Sequence, residues 1–290
     1  MKILSTKGWE DYELIDSGNG ERLERFGKYI LVRPDPQAIW NHKLENEKWQ
    51  KADAVYVQSG TKGRWVNKNN VPEKWPVKYK DLTFYSKLSP FKHTGIFPEQ
   101  SLNWDFIEEK LSLRQAQGKQ VNILNLFGYT GISSLVCAKN NAKVTHLDAS
   151  KPAISWAREN QGASGLLKKP IRWIMDDAIK FIQREIKRNV RYDGIIMDPP
   201  VYGHGPEGEI WDFNKSFPLL IDLCRQVLPD NPLFVVVNAY AISSSSVMLD
   251  NVLKDYLSDL GGNFEYGELA LQEKTGERLL STGIFGRWFR

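Results

Sequence analysis

The sequence predicts an α/β protein. A seven-stranded, mostly parallel, doubly wound sheet closes with an antiparallel hairpin, and a small β-rich domain precedes it. Three observations carry that expectation. From about Ser101 to the C-terminus, helical and strand patterns alternate without a break, which is the signature of βαβ units. The last two strand patterns, NFEYGELALQE and ERLLSTGIFGRWF, are joined only by KTG, a linker suited to an antiparallel hairpin. Residues 12–65 instead show short β-prone runs between turn signals. A chain of 290 residues suits one large domain and one smaller, placed here at 86–290 and 1–85.

In the first domain the runs YELIDSGNGE, RFGKYILVRPDPQ and DAVYVQSGTKGRW are broken by SGNG, PDP and SGTKG, and these read as strands and tight turns of a partial barrel or curled sheet. Val66 to Pro98 is less regular, with Asn-Val-Pro and Trp-Pro breaks, and is expected to be a connector with some strand. Residues 1–100 hold 17 Lys/Arg against 13 Asp/Glu, whereas residues 101–290 hold 22 of each. Within 51–92 nine basic residues face three acidic ones, interleaved with Tyr56, Trp65, Trp75, Tyr79, Phe84, Tyr85 and Phe91. Two readings fit this mixture: phosphate attraction with base stacking, or a small β-domain with aromatic core residues and a solvated basic face.

In the second domain a helix over Ser101–Gln117 precedes the strand VNILNLF, then helix GISSLVCAKN, strand AKVTHLD, helix KPAISWARENQGA, strand IRWIM, helix DAIKFIQREIK and strand DGIIMD. A long loop follows, then helix FNKSFPLLIDLCRQVL, strand LFVVVN, helix SVMLDNVLKDYLSDL and the final hairpin.

Composition narrows the class. Apolar residues at 41% and charged ones at 26% exclude a disordered, collagen-like or disulfide-scaffold chain. Cys137 and Cys224 lie in apolar helical patterns and read as buried small hydrophobes. No zinc-ligand spacing occurs, so no metal is expected. The N-terminus has no apolar stretch of signal-peptide length, and the longest apolar run, Pro232 to Ile242, is interrupted by Asn238 and too short to span a bilayer. A cytoplasmic location without membrane contact is therefore expected.

The residues with chemical potential cluster at the ends of strand patterns. The first strand runs into Gly128-Tyr129-Thr130-Gly131 before a helix, where backbone can approach a ligand and helix N–H groups meet an anion. The spacing is not G-x-G-x-x-G, so a carboxylate fits better than a pyrophosphate; an ordinary βα turn is the bland alternative. Asp148 ends the second strand, where a carboxylate accepts from ribose hydroxyls or caps the next helix. Asp176-Asp177-Ala178 follows the third strand; Asp177 is the expected ligand to an adenine amino group and Asp176 an expected N-cap. The fourth strand ends in Asp198-Pro199-Pro200-Val201-Tyr202. Two prolines remove two backbone donors and leave carbonyls to accept from a target amine, and Tyr202 offers a stacking face for a flipped base.

Together the strings NLFGYTGISS, HLDAS, MDDA and MDPPVY resemble the Rossmann-like class I S-adenosylmethionine-dependent methyltransferases over roughly residues 85–290. Within these the chain is most similar to the large-subunit ribosomal RNA methyltransferase group acting on cytosine carbon-5 or guanine nitrogen-7, and to its uncharacterised relatives. The resemblance implies that S-adenosyl-L-methionine is held by Asn125, Phe127, Gly128, Tyr129, Thr130, Gly131, Asp148, Ala149, Ser150, Asp176, Asp177, Ala178 and Asp198. A preceding segment, Thr94-Gly95-Ile96-Phe97-Pro98-Glu99-Gln100, would add Phe97, Glu99 and Gln100. Asp198, Pro199, Pro200 and Tyr202 would face the substrate as the catalytic set.

One departure narrows the chemistry. Members that methylate cytosine carbon-5 need a nucleophilic Cys after the fifth strand, where this chain has VVVNAYAISSSS. Transfer to a base nitrogen in RNA, by in-line displacement, is the leading expectation. A small-molecule or protein methyltransferase and a non-catalytic cofactor-binding protein are the rivals. His93 and His204 should border the crevice but are expected to be loop histidines without a chemical role, while Asn238 and Tyr240 are candidate pocket walls.

Overall fold

The computed structural model describes residues 1–60, 62–116, 118–240, 244–276 and 278–290. Thr61 of the SGTKG turn, Gln117 at the end of the expected helix, residues 241–243 of VVVNAYAISSSS and Glu277 at the start of the last expected strand lie outside them. The chain divides into two compact units. One comprises Ser5–Ser101 with Ala270–Ser281; the other comprises Met1–Leu4, Leu102–Leu269 and Thr282–Arg290. The division near residue 101 falls later in the chain than the boundary expected after residue 85, and a C-terminal segment groups with the N-terminal unit.

The N-terminal unit holds β2 (Tyr12–Gly18), β3 (Glu21–Phe26), β4 (Tyr29–Pro34), α1 (Asn46–Gln50), β5 (Ala54–Ser59), β6 (Lys62–Asn67), β7 (Lys74–Tyr79) and β8 (Leu82–Lys87). Strands β2 to β6 form a five-stranded sheet in sequence order, and β7 pairs with β8 in a two-stranded sheet. The Asn19-Gly20 dipeptide closes β2 onto β3, as expected of a two-residue hairpin. Pro76 is accommodated inside β7 because that strand has β8 as its partner on one side.

A buried ionic cluster lies beneath this sheet. The Arg33 guanidinium grips Glu24 with two hydrogen bonds of 2.7 and 2.9 Å, the Tyr12 hydroxyl donates to the same carboxylate at 2.8 Å, and Arg22 pairs with Glu24 and Asp35. Arg22 and Arg33 thus contribute no surface field. The aromatics also divide: Trp75 and Phe84 are core residues, at 2% and 0% exposure, whereas Phe91 is 71% exposed.

The second unit contains α2 (Ser101–Gln115), β9 (Asn122–Leu126), α3 (Ile132–Lys139), β10 (Lys143–Asp148), α4 (Lys151–Ala163), β11 (Ile171–Met175), α5 (Ala178–Lys187) and β12 (Gly194–Met197). It continues with β13 (Tyr202–His204), β14 (Ile210–Asp212), α6 (Phe213–Val227), β15 (Phe234–Ala239), α7 (Ser246–Leu257) and the larger parts of β16 (Asn263–Gln272) and β17 (Leu279–Phe289), whose connected ends group with the N-terminal unit. With β1 (Lys2–Ser5) at one edge, its sheet has the order β1-β16-β17-β15-β12-β9-β10-β11. The five central strands are parallel and β17 runs antiparallel to β15. The expected seven strands are present, and β1 (Lys2–Ser5) adds an eighth at the edge.

Alternate strand residues sort the two faces. Leu124, Leu126, Leu147, Met197, Val235 and Val237 join Phe181, Phe217, Leu220 and Leu253 in a core with α5, α6 and α7. Asn125 and Phe234 face the other way, where Ser134 of α3 and Phe106 of α2 meet them. Strand order reverses at β9, between β10 and β12, so a topological switch point opens at the carboxyl ends of β9 and β12. The expected long loop after β12 carries a small hairpin, β13 against β14.

Candidate active site at the carboxyl edge of the sheet

Register aligns the candidate residues. Leu126 lies level with Leu147 and Met197, and Met197 with Val237. Each next residue, namely Phe127, Asp148, Asp198 and Asn238, therefore lies in one row along the carboxyl edge of the sheet. Asp148 is level with Met175, which places Asp176 one step beyond the row.

The turn after β9 is shaped by backbone that side chains resist. Phe127 and Tyr129 have φ of 54° and 49°, a left-handed conformation that non-glycine residues adopt at a cost. Gly128 is required by packing: a Cβ there would lie 2.4 Å from His146 Cε1 and 3.0 Å from Asn125 Nδ2. Below it Asn125 Nδ2 donates to Ser134 Oγ at 2.9 Å, and Ser134 Oγ is 3.0 Å from His146 Nδ1. Burial pushes the His146 imidazole down to about 3, so it is a neutral support for the turn. Gly131, at φ 80°, caps α3 where a Cβ would meet Ala157 at 2.8 Å. The Thr130 carbonyl accepts from Asn160 Nδ2 at 2.9 Å.

Asp148 organises this turn. Its Oδ2 accepts the Tyr129 N–H and its Oδ1 accepts the Ser150 N–H, both at 2.8 Å. Burial raises its pKa and the two backbone donors oppose that rise. The Ser150 side chain, not Asp148, caps α4 by accepting the Ala153 N–H, with Ala149 between them at the rim. In the next loop the expected cap is corrected. Asp177 caps α5 by accepting the Lys180 N–H at 2.9 Å, ahead of the buried first helical residue Ala178. Asp176 instead pairs with Arg184 and accepts the Asp177 N–H. Residue 176 precedes the residue whose side chain can reach the first free N–H groups.

At the switch point Asp198 is held by Asn238, whose Nδ2 donates to Asp198 Oδ1 at 2.9 Å. Burial lifts the Asp198 carboxyl to about 6, with the Asn238 bond pulling the other way. Among the described residues Asn238 Oδ1 is buried without a hydrogen-bond partner. Pro199 is buried and Pro200 exposed. The Pro200 carbonyl, expected to be open to a target amine, accepts the Trp211 indole N–H at 2.6 Å; the β13–β14 hairpin folds Trp211 back over the loop. The Trp211 ring also lies 4.9 Å from Phe127. Tyr202 is 57% exposed and sits edge-on to His204 at 5.3 Å.

Phe97, Glu99 and Gln100 belong to the N-terminal unit. Phe97 rests 5.1 Å from the His93 ring. Glu99 is buried, its pKa lifted to about 7 by that burial and pulled down by Arg22. Burial holds His93 neutral, down at about 3. The roles of His146 and Trp211 and the bond from Asn238 to Asp198 are not evident from sequence. The short alternation at Ile210–Asp212 is the one sequence signal that points toward Trp211.

This row of carboxylates around a glycine turn can accept hydroxyl and amine hydrogens and attract a cationic ligand. Among the described residues no group of His, Cys, Asp and Glu is placed to hold a metal ion, and no helix is long and apolar enough to cross a membrane.

Residues 55–258 match the family described as S-adenosylmethionine-dependent methyltransferase. The whole chain superposes on the S-adenosylmethionine-dependent methyltransferase from Agrobacterium tumefaciens with a TM-score of 0.96 and 42% identity, covering 93% of that chain. It is 32% identical over 232 residues to the ribosomal RNA large subunit methyltransferase K/L of Shewanella baltica, spanning 72% of this chain and 31% of that protein. The same-named protein of Pseudoalteromonas atlantica is 30% identical over 242 residues, 76% of this chain and 33% of that one. The chain thus spans about a third of the length of these curated relatives.

Proposed function

This chain belongs to the S-adenosylmethionine-dependent methyltransferase family, and from that premise we propose that it methylates a base nitrogen in RNA without a covalent enzyme intermediate. The observation that carries the nitrogen assignment is the pairing of a half-buried carboxylate, Asp198, with Asn238 at the switch point, with no thiol beside it. Cys137 and Cys224 are buried on α3 and α6, and burial pushes both thiols well up. A thiol held protonated in a helix core cannot attack a pyrimidine ring. The similarity to ribosomal RNA large subunit methyltransferases supports RNA as the substrate class.

The residues present fit the cofactor. Gly128 leaves no Cβ between the turn and its floor, and the N–H groups of the first turn of α3 face a ligand carboxylate. Asp148 uses one lone pair of each oxygen on backbone donors and keeps others for ribose hydroxyls. Asp177 has one oxygen engaged in the cap and a second for the adenine amine. Bound S-adenosylmethionine supplies a methyl group on a cationic sulfur, already activated for displacement. The protein's work is then positioning. Asp198 accepts a hydrogen from the target nitrogen and aims its lone pair, Asn238 fixes the carboxylate rotamer, and Tyr202 stacks on the base. With a pKa of about 6, Asp198 is ionised at neutral pH and can take the proton the methylated nitrogen sheds.

The test is transfer from methyl-labelled cofactor to separate pools of total RNA, protein and metabolites. Nuclease-sensitive label that digests to an N-methylated nucleoside is expected. Label confined to protein or small molecules would overturn the RNA assignment, and a C-methylated nucleoside would overturn the nitrogen assignment.

A further inference from the structure

At the opposite end of the same strands lies a groove of about 690 Å³, lined by the first residues of β10 and β11, the end of α5 and the loop before β12. It carries four cations, Lys143, Arg172, Arg188 and Arg191, and a single carboxylate, Glu185. That carboxylate is 1% exposed and fully engaged: Arg172 Nη1 lies 3.4 Å from Oε2, Arg188 Nη1 3.0 Å from Oε1, and the Tyr192 hydroxyl donates to Oε2 at 2.7 Å. Both guanidiniums are anchored at one nitrogen, yet their side chains remain 48% and 56% exposed. Two half-exposed guanidiniums thus meet on one buried pivot. A surface ion pair with solvent-facing partners would not need a buried carboxylate and tyrosine to hold it.

Helix polarity does not account for this arrangement. Arg188 complements the carboxyl end of α5, but Lys143 and Arg172 come from the starts of two strands. Guanidiniums held in a planar fork match phosphate oxygens bidentately. The groove lies one strand length, roughly 20 Å for six residues, from the candidate active site.

We propose that this groove is a second RNA-binding surface, holding the phosphodiester backbone of a strand whose target base lies at the carboxyl edge of the sheet. The inference rests on the RNA reading above. The four cations bind phosphates without reading bases, so they add affinity and register but no sequence preference.

The experiment is fluorescence anisotropy of a labelled single-stranded RNA of mixed sequence, titrated with the full chain at several salt concentrations. Wild type is compared with Lys143→Gln and with the double variant Arg188→Gln/Arg191→Gln, and calorimetry with S-adenosylmethionine checks that each is folded. Every phosphate left without its cation should lower the slope of log affinity against log salt by ~0.7, so by roughly 1.4 in the double variant, with affinity at moderate salt falling on the order of tenfold. Cofactor affinity should be unchanged. If wild type binds with a steep slope and both variants keep it, the groove is overturned while the RNA reading stands. Salt-indifferent binding by wild type overturns both. Should the double variant lose cofactor binding, Lys143→Gln decides alone, since it leaves the Glu185 ion pairs intact.

Discussion

The two edges of the central sheet have opposite charge. The carboxyl edge presents Asp148, Asp176, Asp177 and Asp198 around a glycine turn, whereas the amino edge of β10 and β11 presents Lys143, Arg172, Arg188 and Arg191 over one buried carboxylate. Both sets arise from a neutral stretch of chain, with 22 cations and 22 anions in residues 101–290. Net charge therefore hides the feature that separates two tasks. Carboxylates at strand ends accept hydrogen bonds from hydroxyls and amines and attract a sulfonium, but they repel phosphates. On the RNA reading proposed above, the phosphates would therefore be held away from this edge, at the opposite end of the strands.

The largest effect should come from breaking the acidic edge at Asp198. Asp198→Asn keeps shape and removes the proton acceptor, and it should slow methyl transfer by ~10²–10⁴-fold, the range for a positioned acid or base. Cofactor affinity measured by calorimetry should change little. A variant that transferred methyl at the wild-type rate would remove Asp198 from the chemistry. Asp148→Ala tests the other carboxylate. Losing one hydrogen-bond acceptor of charged type costs about 1.5–3 kcal/mol, so S-adenosylmethionine should bind roughly 10- to 150-fold more weakly. The turnover at saturating cofactor should fall less than the affinity, because Asp148 touches neither the methyl group nor its acceptor in this scheme.

Much of this is legible in the sequence, for local reasons. Helix and strand periods differ, so the alternation from Ser101 onward specifies the sheet, and strand-end carboxylates read directly as Asp148, Asp177 and Asp198. What cannot be read depends on tertiary packing. Gly128 reads as a glycine serving a ligand, yet its first constraint is the His146 ring beneath it. The stretch GHGPEGEIW reads as loop, but the short hairpin carries Trp211 onto the Pro200 carbonyl. The basic excess of the first hundred residues reads as one surface property, although Arg22 and Arg33 are buried against Glu24 and Asp35. Strand β1 escapes detection because KILS has no period from which long-range pairing could be inferred.

The pH profile sharpens the comparison at a smaller scale. Burial raises the Asp198 carboxyl above its ordinary value to about 6, so the ionised acceptor is lost as pH falls through that value. Turnover should drop about tenfold per pH unit below 6 and level off above it. The stability linkage has the opposite sense: a carboxyl raised in the folded state favours folding most below its unfolded pKa, and that contribution disappears as pH rises through 6. Activity and this part of stability should thus move in opposite directions between pH 4 and pH 6. An activity profile flat across pH 5–7 would mean that Asp198 is not the titrating acceptor.

The smallest effect concerns the floor of the acidic edge. Gly128→Ala introduces a methyl group 2.4 Å from the His146 ring, and the ring cannot retreat, because it is fully buried and its Nδ1 is tied to Ser134. Overpacking of this kind costs about 1–3 kcal/mol, which in a chain of this size lowers the melting temperature by ~2–9 °C. The double variant Gly128→Ala/His146→Ala relieves the clash by removing the ring. If steric conflict is the cause, its loss should be smaller than the sum of the two single losses, a coupling that a thermal-melt double-mutant cycle measures directly. Additive losses would instead mean that Gly128 serves the backbone path of the turn, and that the neutral histidine beneath it supports the turn by packing alone.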